Sequence, residues 1–183
     1  MNQTTLTESW QKAEVGGPKK ALLITKPSIV VNMIKKAQRP ILIVGSAVLE
    51  HPVDAQAPVD LVVQLAQRSR IPVVATAHIV GEFLKRNYCP AASMSSMDIV
   101  NRLVDAEWSG LDGRGQYDLA LFIGLPYYME WILLNALKHF ASHIGTMSLD
   151  KTYQPNASWS FSNLTVEDWV HNLKEIISKI GAE

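Results

Sequence analysis

Residues 108–124, WSGLDGRGQYDLALFIG, decide the fold. A glycine-dense loop runs through Asp112-Gly113-Arg114-Gly115 and opens into Leu119–Ile123, an unbroken apolar run that stops at Gly124. A short run with no polar alternation reads as a strand buried on both faces, the condition of a parallel sheet. The same arrangement occurs upstream in RPILIVGSA, residues 39–47, where branched residues again lead into a glycine turn. Two strand-to-glycine units in one chain look like the leading strands of the two halves of a doubly wound sheet. In that fold ligands bind beyond the carboxyl ends of the strands, where the strand order reverses.

The segments around these strands alternate between helical and extended patterns. Val30, Met33, Ile34 and Ala37 recur at helical spacing over 27–37, with Pro27 in the first turn, where a missing N–H costs nothing. Val59, Val62, Val63 and Ala66 form a second stripe, followed by a strand at 71–76, IPVVAT. A helical turn is predicted at Val80–Leu84 and a short strand near Pro90–Ser93. Ser95 and Asp98 cap a helix carrying Ile99, Val100, Leu103 and Val104. After the 119–124 strand, residues 128–141 are apolar nearly all round, which predicts a helix buried on several sides. A strand at Ile144–Ser148 and a short one within 158–164 precede a helix capped by Thr165 and Asp168, with its stripe at Val166, Trp169, Val170, Leu173, Ile176, Ile177 and Ile180. Alternating strands and helices imply an α/β domain, a doubly wound, mainly parallel sheet with helices on both faces. Residues 1–20 read as an arm and 21–183 as one Rossmann-like domain.

Composition narrows the function classes. The chain has 183 residues, 48% hydrophobic and 19% charged, which is globular and enough for one full core. Lysine plus arginine equals aspartate plus glutamate at 17 each, so the basic excess of a nucleic-acid binder is missing. A neutral surface has little self-repulsion against a permanent partner. The single cysteine, Cys89, excludes an internal disulfide and any cluster held by several cysteines, and suits a reducing, cytoplasmic setting. The apolar stretch 119–134 is interrupted by Gly124, Pro126 and Glu130 and reads as strand, turn and helix, not as a membrane span.

Gly45, Ser46 and Ala47, with Gly124, Leu125 and Pro126, flank the expected crevice and are the candidate cofactor-binding residues. Glycine admits a ligand to the backbone, and a helix N-terminus offers unpaired N–H groups to phosphate. Neither turn completes the dinucleotide fingerprint GxGxxG. Asp112-Gly113-Arg114-Gly115 lacks the Lys-Ser/Thr of a P-loop and precedes its strand, so it reads as a structural turn or a partner contact. His139 and His143 are four apart but lack a third ligand, and suit a helix C-terminus. Cys89 has no catalytic partner in sequence and reads as a buried or incidental thiol. An independent enzyme would need an acid, base or nucleophile in the crevice, and the two turns supply only Ser46. No catalytic or metal residue is assigned.

AQRPILIVGSAVLE at 37–50 and WSGLDGRGQYDLALFIG at 108–124 resemble the epsilon-subunit family of acetyl-CoA decarbonylase/synthase, the archaeal carbon monoxide dehydrogenase/acetyl-CoA synthase complex. The specific part is W-x-G-L-D-G-x-G-x-Y-D; the likeness runs from about residue 20 onward. It implies a fold similar to the nucleotide-binding middle domain of thiamine-diphosphate enzymes. It also implies a large alpha subunit as partner, carrying the nickel–iron–sulfur centre in an alpha2epsilon2 assembly within a larger anaerobic complex of one-carbon metabolism, with a homodimer as the state of the chain alone. Two roles follow: a non-catalytic subunit that stabilises or covers alpha, or an electron-transfer subunit holding a flavin such as FAD at the switch point or the alpha–epsilon interface.

Overall fold

In the computed structural model, residues 17, 19–50 and 57–181 are described. The arm expected over 1–20 therefore lies, apart from Gly17, Lys19 and Lys20, outside the described residues. In chain order the elements are β1 (Leu22–Leu23), α1 (Pro27–Lys36), β2 (Pro40–Val44), a 3-10 turn (Ser46–Leu49), α2 (Pro58–Ser69), β3 (Val73–Ala75), α3 (Ala77–Lys85), β4 (Ala92–Ser93), α4 (Ser96–Val104), β5 (Leu119–Ile123), α5 (Tyr127–Phe140), β6 (Gly145–Ser148), β7 (Trp159–Ser160) and α6 (Val166–Ile180).

All seven strands are parallel, in the order β1-β7-β6-β5-β2-β3-β4. The two leading strands lie side by side, in register from Pro40 against Leu119 to Val44 against Ile123. From β2 the chain builds outward through β3 and β4, and from β5 through β6 and β7. The strand order thus reverses between β2 and β5, and the switch point is there. Side chains alternate across the sheet with the period of two that a pleated strand imposes. Leu42, Val44, Leu121 and Ile123 enter a core with α1, α2, α3 and α6 residues such as Val30, Val62, Phe83 and Ile176. Ile41, Ile43, Ala120 and Phe122 enter the opposite core with Ile99 and Leu103 of α4 and Leu133 and Leu137 of α5. Apolar layers on both faces are why these strands carry no polar alternation.

Local signals place the helices. Pro27 and Pro58 occupy the first turns of α1 and α2. The Ser95 hydroxyl accepts from the Asp98 amide at 3.1 Å, and Thr165 does the same for Asp168 at 3.1 Å, each satisfying an otherwise orphaned helix donor. The stripe of α6 buries Trp169, Val170, Leu173, Ile176 and Ile177.

Three features differ from the sequence reading. β1 is unanticipated: two residues are too short to show a period, and β1 exists because the Leu22 and Ile24 amides find the Ser158 and Ser160 carbonyls at 3.0 and 2.8 Å. The turn at 80–84 is part of a full helix, α3. The short strand expected within 158–164 is present, at Trp159–Ser160. Helix α5 buries Leu133, Leu134 and Leu137 against the sheet, but Tyr128, Ile132 and Phe140 are 65%, 50% and 73% exposed. It is therefore not buried on several sides, because the described chain supplies a neighbour for only one of its apolar faces.

Candidate functional site

The paired strands β2 and β5 have two ends, and the polar residues divide between them. At the amino end sits the motif of residues 108–118. The Asp118 carboxylate accepts from the backbone amides of Gln38 at 2.7 Å and Arg39 at 2.9 Å, where β2 begins. The Asp112 carboxylate accepts from Arg39 Nη2 at 2.5 Å, and the guanidinium holds Asp112 below the usual carboxylate range. Arg39 also lies 5.1 Å from the centre of the Tyr117 ring, whose hydroxyl accepts from the Leu111 amide at 3.3 Å. Tyr117 packs against Trp108 at 5.8 Å, and the Gln116 side chain donates to the Arg102, Leu103 and Asp105 carbonyls that end α4. Each of these residues closes the loop against the entry to β2 or the end of α4. Asp112-Gly113-Arg114-Gly115 is thus a structural turn, at the opposite end of the sheet from the crevice.

At the carboxyl end, the six residues singled out from sequence come together. The Gly45 amide donates to Ile123 O at 2.9 Å and the Ala47 amide to Gly124 O at 2.8 Å, so the two turns are bonded to each other. A Cβ on Gly45 would lie 2.2 Å from the Gly124 carbonyl oxygen, and one on Gly124 2.3 Å from Val48 Cγ1. Gly124 also has φ +75, a conformation that side chains with a Cβ resist. Protein atoms fill the space these glycines open.

Three residues the sequence reading passed over complete this end. The Asp150 carboxylate, just beyond β6, accepts from the Gly124 amide at 2.8 and 3.0 Å and also from the Leu125 amide. It sits on the donors that a phosphate would use in a nucleotide-binding relative of the fold. Glu130, on the first turns of α5, is 0% exposed and meets Asp150. Burial first, and the charge of Asp150 second, push the Glu130 carboxyl well above the usual range; burial raises Asp150 as well, and the hydrogen bond between the two carboxyls means that the pair shares a proton. Gln154 is 1% exposed, and its Nε2 donates to Tyr127 O at 3.1 Å and to Glu130 Oε2 at 3.3 Å. The Ser148 hydroxyl also lies against the Glu130 carboxyl, and Gln154 Oε1 is buried without a hydrogen-bond partner.

Glu130, Asp150 and Gln154 border a cavity of about 110 Å³, walled also by Ala47, Leu125, Tyr127, Trp169 and Lys151. Trp169 is fixed there by its indole N–H, which donates to Leu149 O at 2.7 Å. Cofactor sites usually measure about 300–1,000 Å³. With its amides held by Asp150 and its volume this small, the switch point does not fit a dinucleotide as it stands. Glu130 had one legible signal: it lies on the face that carries Leu133, Leu134 and Leu137, so an acid was placed in the core. Asp150 and Gln154 had none, since only the strand order brings them here.

Elsewhere, α5 ends at Phe140, before His143, whose Nε2 lies 3.1 Å from Leu103 O. Among the described residues no three His, Cys, Asp or Glu gather to hold a metal ion. Cys89 is exposed, so it is not the buried thiol that was one of its two readings. No helix among the described residues is long and apolar enough to cross a membrane.

Fold and site together define a doubly wound parallel α/β protein with a carboxyl-end crevice closed by its own carboxylates. The chain belongs to the family described as CO dehydrogenase beta subunit/acetyl-CoA synthase epsilon subunit, whose profile matches residues 2–177. It is 37% identical to the acetyl-CoA decarbonylase/synthase complex subunit epsilon of Methanothermobacter thermautotrophicus over 175 residues, 93% of this chain and 94% of that one. It is 38% identical to subunit epsilon 1 of the corresponding complex in Archaeoglobus fulgidus over 159 residues, 85% and 83% of the two chains. To the epsilon subunit of Methanothrix soehngenii it is 33% identical over 172 residues, 92% and 89%.

Proposed function

We propose that this chain is a non-catalytic epsilon subunit of an acetyl-CoA decarbonylase/synthase complex, bound to a large alpha subunit in an alpha2epsilon2 carbon monoxide dehydrogenase component in the cytoplasm. The observation that carries the reading is the family match across residues 2–177, shared with relatives named as subunits of that complex. The alpha subunit oxidises carbon monoxide reversibly, and this chain stabilises and covers it. The neutral charge and the exposed apolar face of α5 suit a chain that works in contact with another.

The second reading places FAD or another nucleotide at Gly45, Ser46, Ala47, Gly124, Leu125 and Pro126 for electron transfer. It requires the ligand's phosphates to displace Asp150 from the Gly124 and Leu125 amides, against the charge of that carboxylate. One preparation tests both. The chain is co-expressed with the alpha subunit, purified by a tag on either, and its visible spectrum recorded with and without added FAD. Co-elution, unchanged kcat for carbon monoxide oxidation and slower inactivation of alpha are expected. Separate elution overturns the subunit reading; saturable flavin binding in either state replaces the accessory role with electron transfer.

A further inference from the structure

The carboxyl-end cavity asks for something the described chain does not supply. Gln154 Oε1 is a buried acceptor without a donor, and it sits beside the Glu130 carboxyl, which meets Asp150 and Ser148. A buried acceptor without a donor costs about 1–3 kcal/mol, so the missing group is a hydrogen-bond donor. The charged groups facing Glu130 are Asp150 from the end of β6, Lys151 next to it, and Glu50 from the end of the 3-10 turn; Tyr127 adds a phenol. The two carboxyls of Glu130 and Asp150 face one base, Lys151, and among the described residues no ion pair reaches either of them within 4.0 Å. A positively charged donor matches both needs. At about 110 Å³ the cavity has room for a side-chain head group and not for a cofactor.

The mouth of the cavity shows where that group comes from. Tyr127 lines the cavity and also begins an exposed apolar hollow formed with Tyr128, Trp131 and Ile132 on the outer side of α5. Tyr127 is 45% exposed, Tyr128 65% and Ile132 50%. Aromatic residues around a charged socket are the composition of an interface centre, where a buried anchor is shielded from water by apolar neighbours.

We propose that this end of the molecule is the docking surface for the large partner subunit, which inserts one lysine or arginine side chain between Glu130, Asp150 and Gln154 and packs apolar residues on Tyr127, Tyr128, Trp131 and Ile132. The inference rests on the subunit reading and adds to it the surface and the anchor. An ammonium has three donors and a guanidinium five, enough for both carboxyls and the Gln154 carbonyl oxygen. A cation there stabilises two carboxylates in place of one, so the proton shared by Glu130 and Asp150 leaves on docking.

The test is calorimetric titration of the purified alpha subunit with this chain at pH 7, in two buffers that differ in ionisation enthalpy. The wild-type chain releases about one proton per chain bound. Glu130→Gln, checked for folding by its thermal melt, weakens binding about tenfold or more and abolishes the release. Tyr128→Ala weakens binding and keeps the release. Wild-type affinity with no proton exchange, or unchanged affinity and release in Glu130→Gln, overturns the inference while leaving the subunit reading intact. Dimerisation of the chain through this face by light scattering, lost in Tyr128→Ala, overturns it as well. Failure of the wild-type chain to bind alpha overturns the subunit reading itself and removes the basis of the inference.

Discussion

The two ends of the β2–β5 pair handle buried polarity in opposite ways. At the amino end the two carboxylates of the 108–118 motif are answered from within the chain: Asp118 by two backbone amides and Asp112 by Arg39. At the carboxyl end Asp150 is answered by Gly124 and Leu125, but Gln154 Oε1 is a buried acceptor without a donor beside the Glu130–Asp150 acidic pair. The first end leaves a single donor over among its described side chains, Arg39 Nε. The second carries a polar deficit beside an exposed aromatic face, an arrangement that a folded chain keeps where something else arrives. The conspicuous motif thus stabilises the fold, and the quiet end is the functional candidate.

Substitutions at the two ends can break this contrast. The largest effect is expected at Gly124→Ala, where the new Cβ meets Val48 Cγ1 at 2.3 Å and the backbone sits at φ +75. Overpacking and left-handed strain together cost roughly 3 kcal/mol or more, whereas Gly113→Ala at the amino end, φ +73 with no atom within 4 Å of its Cβ, carries only the strain, about 1–2 kcal/mol. Chemical denaturation of the two variants measures the difference; equal losses would show that the carboxyl-end turns are loosely packed.

Asp118→Ala comes next. It leaves the Gln38 and Arg39 amides without their acceptor, and a hydrogen bond to a charged group is worth about 1.5–3 kcal/mol. A melting temperature within a degree or so of wild type would remove the amino end's claim to a structural role.

Glu130→Gln acts on the pH dependence. A carboxyl whose folded pKa is raised stabilises the fold fully below its unfolded value of about 4.3, and that contribution is lost as pH rises through the folded value. Glu130 is raised by burial and by Asp150, so its contribution to the isolated chain's stability falls as pH rises above about 4.3. Glu130→Gln flattens that slope. Melts across pH 4–9 check it, and parallel curves for the two proteins would contradict the shared proton.

The smallest change is expected for Asp112→Asn. Its pair with Arg39 is solvent-exposed and screened by salt, so the melting temperature moves little and the difference shrinks further in concentrated sodium chloride.

Much of the fold was legible because its information is local. PILIV and LALFI carry no polar alternation since helices cover both faces, and a proline, a Ser95–Asp98 pair or a Thr165–Asp168 pair marks a helix start wherever the fold later puts it. The adjacency of the two strand-to-glycine turns was legible from the same repetition. β1 was not, because two residues have no period and their pairing partner lies more than 130 residues away. The outer face of α5 was misread because an apolar residue reports that burial is favourable, not which chain provides it. The carboxyl-end site was the least legible part. Gly45 and Gly124 were found, but their openness is taken up by Val48, Leu125 and each other. Glu130, Asp150 and Gln154 come from α5 and the end of β6, and only the sheet order joins them.

Hydrogen–deuterium exchange of the chain alone and in complex with the alpha subunit compares the two ends directly. If the carboxyl end is the docking surface, new protection falls on residues 124–132 and 148–154, while 108–118 exchange equally in both states. Protection confined to 108–118, with 124–132 and 148–154 unchanged, would contradict it and make the amino-end motif the contact.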